Sequence, residues 1–104
     1  MTQYLFEPTA PATIPIIGSE KLYPVNRIFC VGRNYEAHAA EMGAVVDRDA
    51  PFYFTKSPTT LVMAEGEIAY APRTENYHYE MELVFALKSG GTNIAEADAL
   101  SHIY

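Results

Sequence analysis

Hydrophobic positions in this chain come in short bursts, not in long helical stripes. Arg27 to Gly32 (RIFCVG) is β-branched and aromatic and closes on a glycine, which predicts a buried strand ending in a turn. Phe52 to Ser57 (FYFTKS) predicts a second strand, stopped before Pro58. Leu61 to Pro72 predicts two short strands about a turn at Glu65-Gly66, and Tyr77 to Leu87 is the longest strand candidate, ended by KSGGTN. Two stretches have helical character instead. Asn34 to Met42 (NYEAHAAEM) predicts a short helix with Asn34 as N-cap, Glu36 in the dipole-favoured first turn and Gly43 as its stop. Asn93 to Tyr104 predicts another, with Asn93 and Glu96 at capping-box spacing and Ile94, Ala97, Leu100 and Ile103 recurring every third position. Pro8, Pro11, Pro15 and Pro24, with their fixed φ and missing N–H, predict an irregular arm over residues 1–24. The expected class is α+β, mostly β, with residues 25–104 as its folded portion.

The longest strand candidate raises an electrostatic question. Side chains alternate along a strand, so Tyr79, Met81, Leu83, Phe85 and Leu87 line one face, and His78, Glu80, Glu82, Val84 and Ala86 the other. Two carboxylates then sit on one face with Cα atoms about 6.5 Å apart. Both point into water, or one keeps its proton, or a cation lies between them. An ordinary half-exposed strand satisfies the first case. A hard divalent ion satisfies the last, because carboxylate oxygens without cysteine suit Mg2+, Mn2+ or Ca2+ better than zinc. His78, alone beside tyrosines, reads as a packed or hydrogen-bonded residue.

Composition narrows the partners. A formal charge of −6 over 104 residues repels polyanions, which excludes nucleic acid and anionic membrane surfaces as natural partners. The N-terminus lacks a basic segment followed by a long apolar one, and nowhere is there an apolar run of the roughly 20 residues a membrane span needs. The one cysteine, Cys30, sits in an apolar run and reads as a small buried hydrophobe, with a reducing cytoplasm as the expected compartment.

A second polar pair lies in the first predicted helix. His38 and Glu41 are three positions apart, so their side chains meet on one face, where a carboxylate bonded to one ring nitrogen raises the basicity of the other. The pair is either a general base or two solvated groups on an exposed helix. Arg33 and Lys56 are likewise surface charges or cations aimed at an anionic substrate.

Three segments in order, RIFCVGRNYEAHAAEMG, PFYFTKSP and NYHYEMELVFAL, resemble the fumarylacetoacetate hydrolase family, in particular its fumarylpyruvate and acylpyruvate hydrolases. The resemblance runs from about Ile17 to Tyr104. It implies the N-terminal part of that family's mixed β-sheet roll with short helices, and a homodimer. It also implies that Glu80 and Glu82 bind Mg2+ or Mn2+, with Ca2+ as a further candidate. His38 and Glu41 become the dyad that activates water, and Arg33 and Lys56 the substrate-binding cations. The implied reaction is hydrolytic cleavage of a carbon–carbon bond in a β-diketo acid such as fumarylpyruvate, through a metal-bound enolate. Oxaloacetate decarboxylation and 2-oxo-heptenedioate isomerisation use the same site in the family. Outside it stand a small β-rich module without catalysis and an inactive fragment.

The sequence departs from the family pattern in two places. Ser57 separates Lys56 from Pro58 where the family usually has Lys-Pro. The family's third metal-binding carboxylate, an aspartate, is expected beyond Tyr104, so the chain is expected to be truncated. A final helix ending on Ile103-Tyr104 without Gly, Pro or a polar tail reads as cut.

Overall fold

Two separate antiparallel ladders organise the first part of the molecule, a computed structural model that describes residues 1–32 and 50–104. Strands β1 (Ala12–Pro15) and β2 (Leu22–Val25) pair from Ala12↔Val25 to Pro15↔Leu22. Strands β3 (Ile28–Gly32) and β4 (Phe52–Lys56) pair from Ile28↔Lys56 to Gly32↔Phe52. The chain divides into two units, Met1–Gly66 and Glu67–Tyr104. The architecture is mostly β with one short helix.

The β1–β2 hairpin corrects the expectation of an irregular arm over residues 1–24. Its turn is local chemistry: Ser19 N–H donates to Ile16 C=O at 3.1 Å, and Gly18 at φ +77° occupies the third position, where a type II turn needs a left-handed residue. Lys21 N–H then donates to Ser19 Oγ at 3.1 Å. Pro15 and Pro24 enter the ladder opposite Leu22 and Thr13. Those two pairs are two registers apart, so both prolines fall at the same kind of pair, the kind that asks for no N–H. Val25, which ends the hairpin, is the buried hydrophobic residue of the described chain.

The expected strands at Arg27–Gly32 and Phe52–Ser57 are both present, each trimmed by one residue. Burial along β3 alternates, with Ile28, Cys30 and Gly32 half-buried and Phe29 and Val31 exposed, so the strand and its cysteine are half-covered where full burial was expected. Strand β4 stops at Lys56 because Ser57 caps the 3-10 turn Pro58–Thr60. Its Oγ accepts from Thr59 N–H at 3.3 Å, and its carbonyl accepts from Thr60 N–H at 3.0 Å and Thr60 Oγ1 at 2.7 Å. The serine between lysine and proline is thus a turn residue.

After the 3-10 turn, three expectations change. The chain bends at Glu65-Gly66, with Gly66 at φ +120°, but among the described residues no ladder flanks the bend. Tyr77–Leu87 forms no ladder either, apart from one bridge between Leu87 and Ile103. Strand propensity expresses itself only against a partner strand, and among the described residues this segment has none along its length. The helix expected over Asn93–Tyr104 contracts to α1 (Glu96–Ala99) and a 3-10 turn (Leu100–His102). Asn93 takes φ +52°, which no helical residue does, so the cap falls on Ala95 without a side-chain bond and the capping box is not formed. At the other end Ile103 leaves the helix for its bridge, supported by Lys88 N–H to His102 C=O at 2.9 Å and Tyr104 N–H to Ala86 C=O at 3.0 Å. Among the described residues no helix is long and apolar enough to cross a membrane.

Candidate metal and substrate site

Glu80 and Glu82 lie in a segment fixed at both ends. At the start, Tyr77 N–H donates to the Tyr70 hydroxyl at 3.3 Å while the two rings meet edge to face, 5.3 Å between centroids and 85° between planes. At the end stands the Leu87–Ile103 bridge. His102 reinforces that end, its Nδ1 lying 2.8 Å from Ser89 Oγ and 3.2 Å from Ser89 C=O. A carbonyl only accepts, so the second contact requires a proton on Nδ1. Between these anchors both glutamates are exposed. Their donor set, two carboxylates two positions apart, fits a hard oxygen-seeking cation. Among the described residues no three His, Cys, Asp or Glu side chains converge as a complete cation site.

His78 is hydrogen-bonded, as expected of a lone histidine. Its Nε2 meets the Asn76 side-chain oxygen Oδ1. The ring is oriented by its neighbour two residues back.

Lys56 belongs to the other unit, at the end of β4 and opposite Ile28. Its Nζ stands 6.0 Å from the centroid of the Phe54 ring, on the edge of cation–π range. Arg33, His38 and Glu41, with the helix expected to carry the last two, lie outside the described residues. The residues that sequence reasoning passed over are Gly32, Phe52 and Phe54, which share a ladder face with Lys56. The available signal was the alternation of Phe52, Phe54 and Lys56 at every second position.

A family model described as fumarylacetoacetate (FAA) hydrolase C-terminal matches residues 27–104. The chain belongs to the fumarylacetoacetate hydrolase family. Over 65 residues it is 52% identical to a fumarylpyruvate hydrolase of Ralstonia, an overlap of 61% of this chain and 34% of that protein. Over 84 residues it is 39% identical to the oxaloacetate tautomerase YisK of Bacillus subtilis, covering 78% of this chain and 28% of the relative. Among solved structures, fumarylpyruvate hydrolase from Pseudomonas aeruginosa in complex with Mn2+ and pyruvate superposes with a TM-score of 0.87 at 45% identity. That match covers 97% of this chain and 45% of the solved one. This member of the family therefore spans about a third of the two relatives and under half of the solved enzyme.

Proposed function

We propose that the full-length protein is a metal-dependent hydrolase that cleaves a carbon–carbon bond in a β-diketo acid, with fumarylpyruvate as substrate and fumarate and pyruvate as products. The observation that carries this reading is the 52% identity to the Ralstonia fumarylpyruvate hydrolase. The Mn2+ and pyruvate in the related Pseudomonas enzyme support the same chemical class.

Each candidate residue takes one role. Glu80 and Glu82 would hold Mg2+ or Mn2+, their exposed carboxylates being the hard donors such an ion takes. The bound ion supplies positive charge next to the 2-oxo acid. Arg33 and Lys56 hold substrate carboxylates. His38, its basicity raised by Glu41, takes a proton from water, and the hydroxide adds to the fumaroyl carbonyl carbon. The carbon–carbon bond then breaks, fumarate leaves with the new oxygen, and the three-carbon fragment takes up the proton to become pyruvate. One water is consumed. A cytoplasmic homodimer built on the family's mixed β-sheet roll is the form in which we place this activity.

A second reading has its own observation, the longer overlap with the Bacillus subtilis oxaloacetate tautomerase. One assay separates the two. The full-length protein with Mg2+ or Mn2+ is offered fumarylpyruvate, acetylpyruvate and oxaloacetate, and both pyruvate release and keto–enol exchange are followed. Pyruvate released fastest from fumarylpyruvate supports the hydrolase; enol exchange of oxaloacetate with no pyruvate from either diketo acid overturns it in favour of the tautomerase. Inactivity on all three leaves the non-catalytic module.

A further inference from the structure

One face of the β3–β4 ladder carries Phe52, Phe54 and Lys56 on β4, opposite Gly32, Cys30 and Ile28 on β3. The register sets the smallest residue against the first ring. A Cβ added at Gly32 would meet Phe52 Cδ1 at 2.5 Å and Phe54 Cε1 at 3.4 Å, so both rings lean over the glycine. The ring centroids are 6.3 Å apart with the planes tilted by 40°, and Lys56 Nζ stands over the Phe54 ring, 6.0 Å from its centroid. Phe52 and Phe54 are exposed by 50% and 39%. Lys56 is the one charged residue of the six.

The result is a cation and two rings at alternate positions of one strand, on one face. Its two ends ask for different chemistry. The ammonium attracts a carboxylate, and in a chain of net charge −6 that local cation decides where an anion can settle. The ring faces favour a flat, polarizable group over a puckered one of equal polarity, because a planar chain packs more closely on an aromatic surface. Gly32 contributes by absence, since any side chain there would displace the Phe52 ring.

The geometry points to this face as the shelf for the unsaturated end of an acidic substrate, with a carboxylate on Lys56 Nζ and a planar conjugated carbon chain along Phe54 towards Phe52. Phe54 and Phe52 are then specificity-determining residues, selecting a flat trans-unsaturated acyl group over a saturated one. This rests on the reading of Lys56 as a substrate cation and deepens it by naming which end of the substrate Lys56 holds.

Fumarate and succinate make the test, because they share charge and length and only fumarate is planar. Both are titrated calorimetrically into the full-length protein with Mn2+ present, alongside pyruvate, for wild type, Phe54→Ala, Phe54→Leu and Lys56→Met. Wild type is expected to bind fumarate at least tenfold tighter than succinate. Phe54→Ala and Phe54→Leu should shrink that preference to under threefold while pyruvate affinity moves less than twofold. Lys56→Met should weaken both dicarboxylates together. Leucine keeps the apolar volume without the ring and so answers the question if the alanine variant fails to fold. Equal binding of fumarate and succinate by wild type overturns the shelf. So does a preference that survives both Phe54 variants while thermal stability falls, the result expected if another segment packs over the rings. Preference for fumarate without hydrolysis of fumarylpyruvate sinks the proposed reaction and leaves the shelf standing; hydrolysis without the preference does the reverse.

Discussion

Gly32 and Phe52 face each other at the last pair of the β3–β4 ladder, and the Phe52 ring occupies the space a side chain at position 32 would need. Glycine here is a matter of room and not of backbone conformation. Gly32→Val should therefore destabilise the full-length protein by about 1–3 kcal/mol, the usual cost of overpacking. Adding Phe52→Ala should recover part of that loss, because the ring that clashes is gone. Denaturant titration of the two single variants and the double variant measures the coupling. Strictly additive losses would mean that the ring simply swings aside.

The carboxylate pair is tested by charge removal at constant shape. Glu80→Gln or Glu82→Gln should weaken Mn2+ binding at least tenfold, which corresponds to about 1.4 kcal/mol or more. Activity should fall together with it. Calorimetric titration of Mn2+ into the full-length protein reads the first effect, and wild-type affinity in both variants would remove these residues from the metal site.

His38 is assigned to water activation and not to metal binding, so the two properties should separate. His38→Ala should lower turnover of fumarylpyruvate by roughly 100-fold or more, within the range a general base contributes. Mn2+ affinity should stay near the wild-type value. Turnover at the wild-type rate in this variant would end the dyad assignment.

Asn93 holds a left-handed backbone at φ +52°, the conformation in which a Cβ crowds the following carbonyl. Replacing it by alanine should cost about 1 kcal/mol, while glycine, which has no Cβ, should be tolerated with little change. Chemical denaturation of the two variants distinguishes this turn role from capping. A capping Asn would lose stability in both.

The 104-residue chain by itself leaves large apolar groups in water: Tyr79 is 91% and Leu83 77% exposed, and Val25 is the buried hydrophobic residue among those described. As an isolated polypeptide it should bind a hydrophobic dye strongly, hold Mn2+ weakly and show no turnover of fumarylpyruvate. Robust metal-dependent hydrolysis by the purified chain would overturn this.

The sequence by itself determined whatever rests on neighbours in the chain. RIFCVG and FYFTKS read as strands because β-branched and aromatic runs are punctuated there by Gly32 and Pro58, and both strands formed. The spacing of Glu80 and Glu82 raised the question of two like charges side by side and left water, a retained proton and a cation all open. Tertiary pairing decided the rest. Pro15 and Pro24 read as breakers, yet they sit in a hairpin whose register spares them a donor. Tyr77–Leu87 has strand composition, but among the described residues its one ladder contact is the bridge at Leu87, since a ladder needs a second strand. The same bridge draws Ile103 out of a helix whose periodicity was sound. That Gly32, Phe52, Phe54 and Lys56 share one surface follows from the β3–β4 register, which joins residues 20 or more positions apart. No local pattern carries that information, because register is set by which pairing buries and bonds best across the whole ladder.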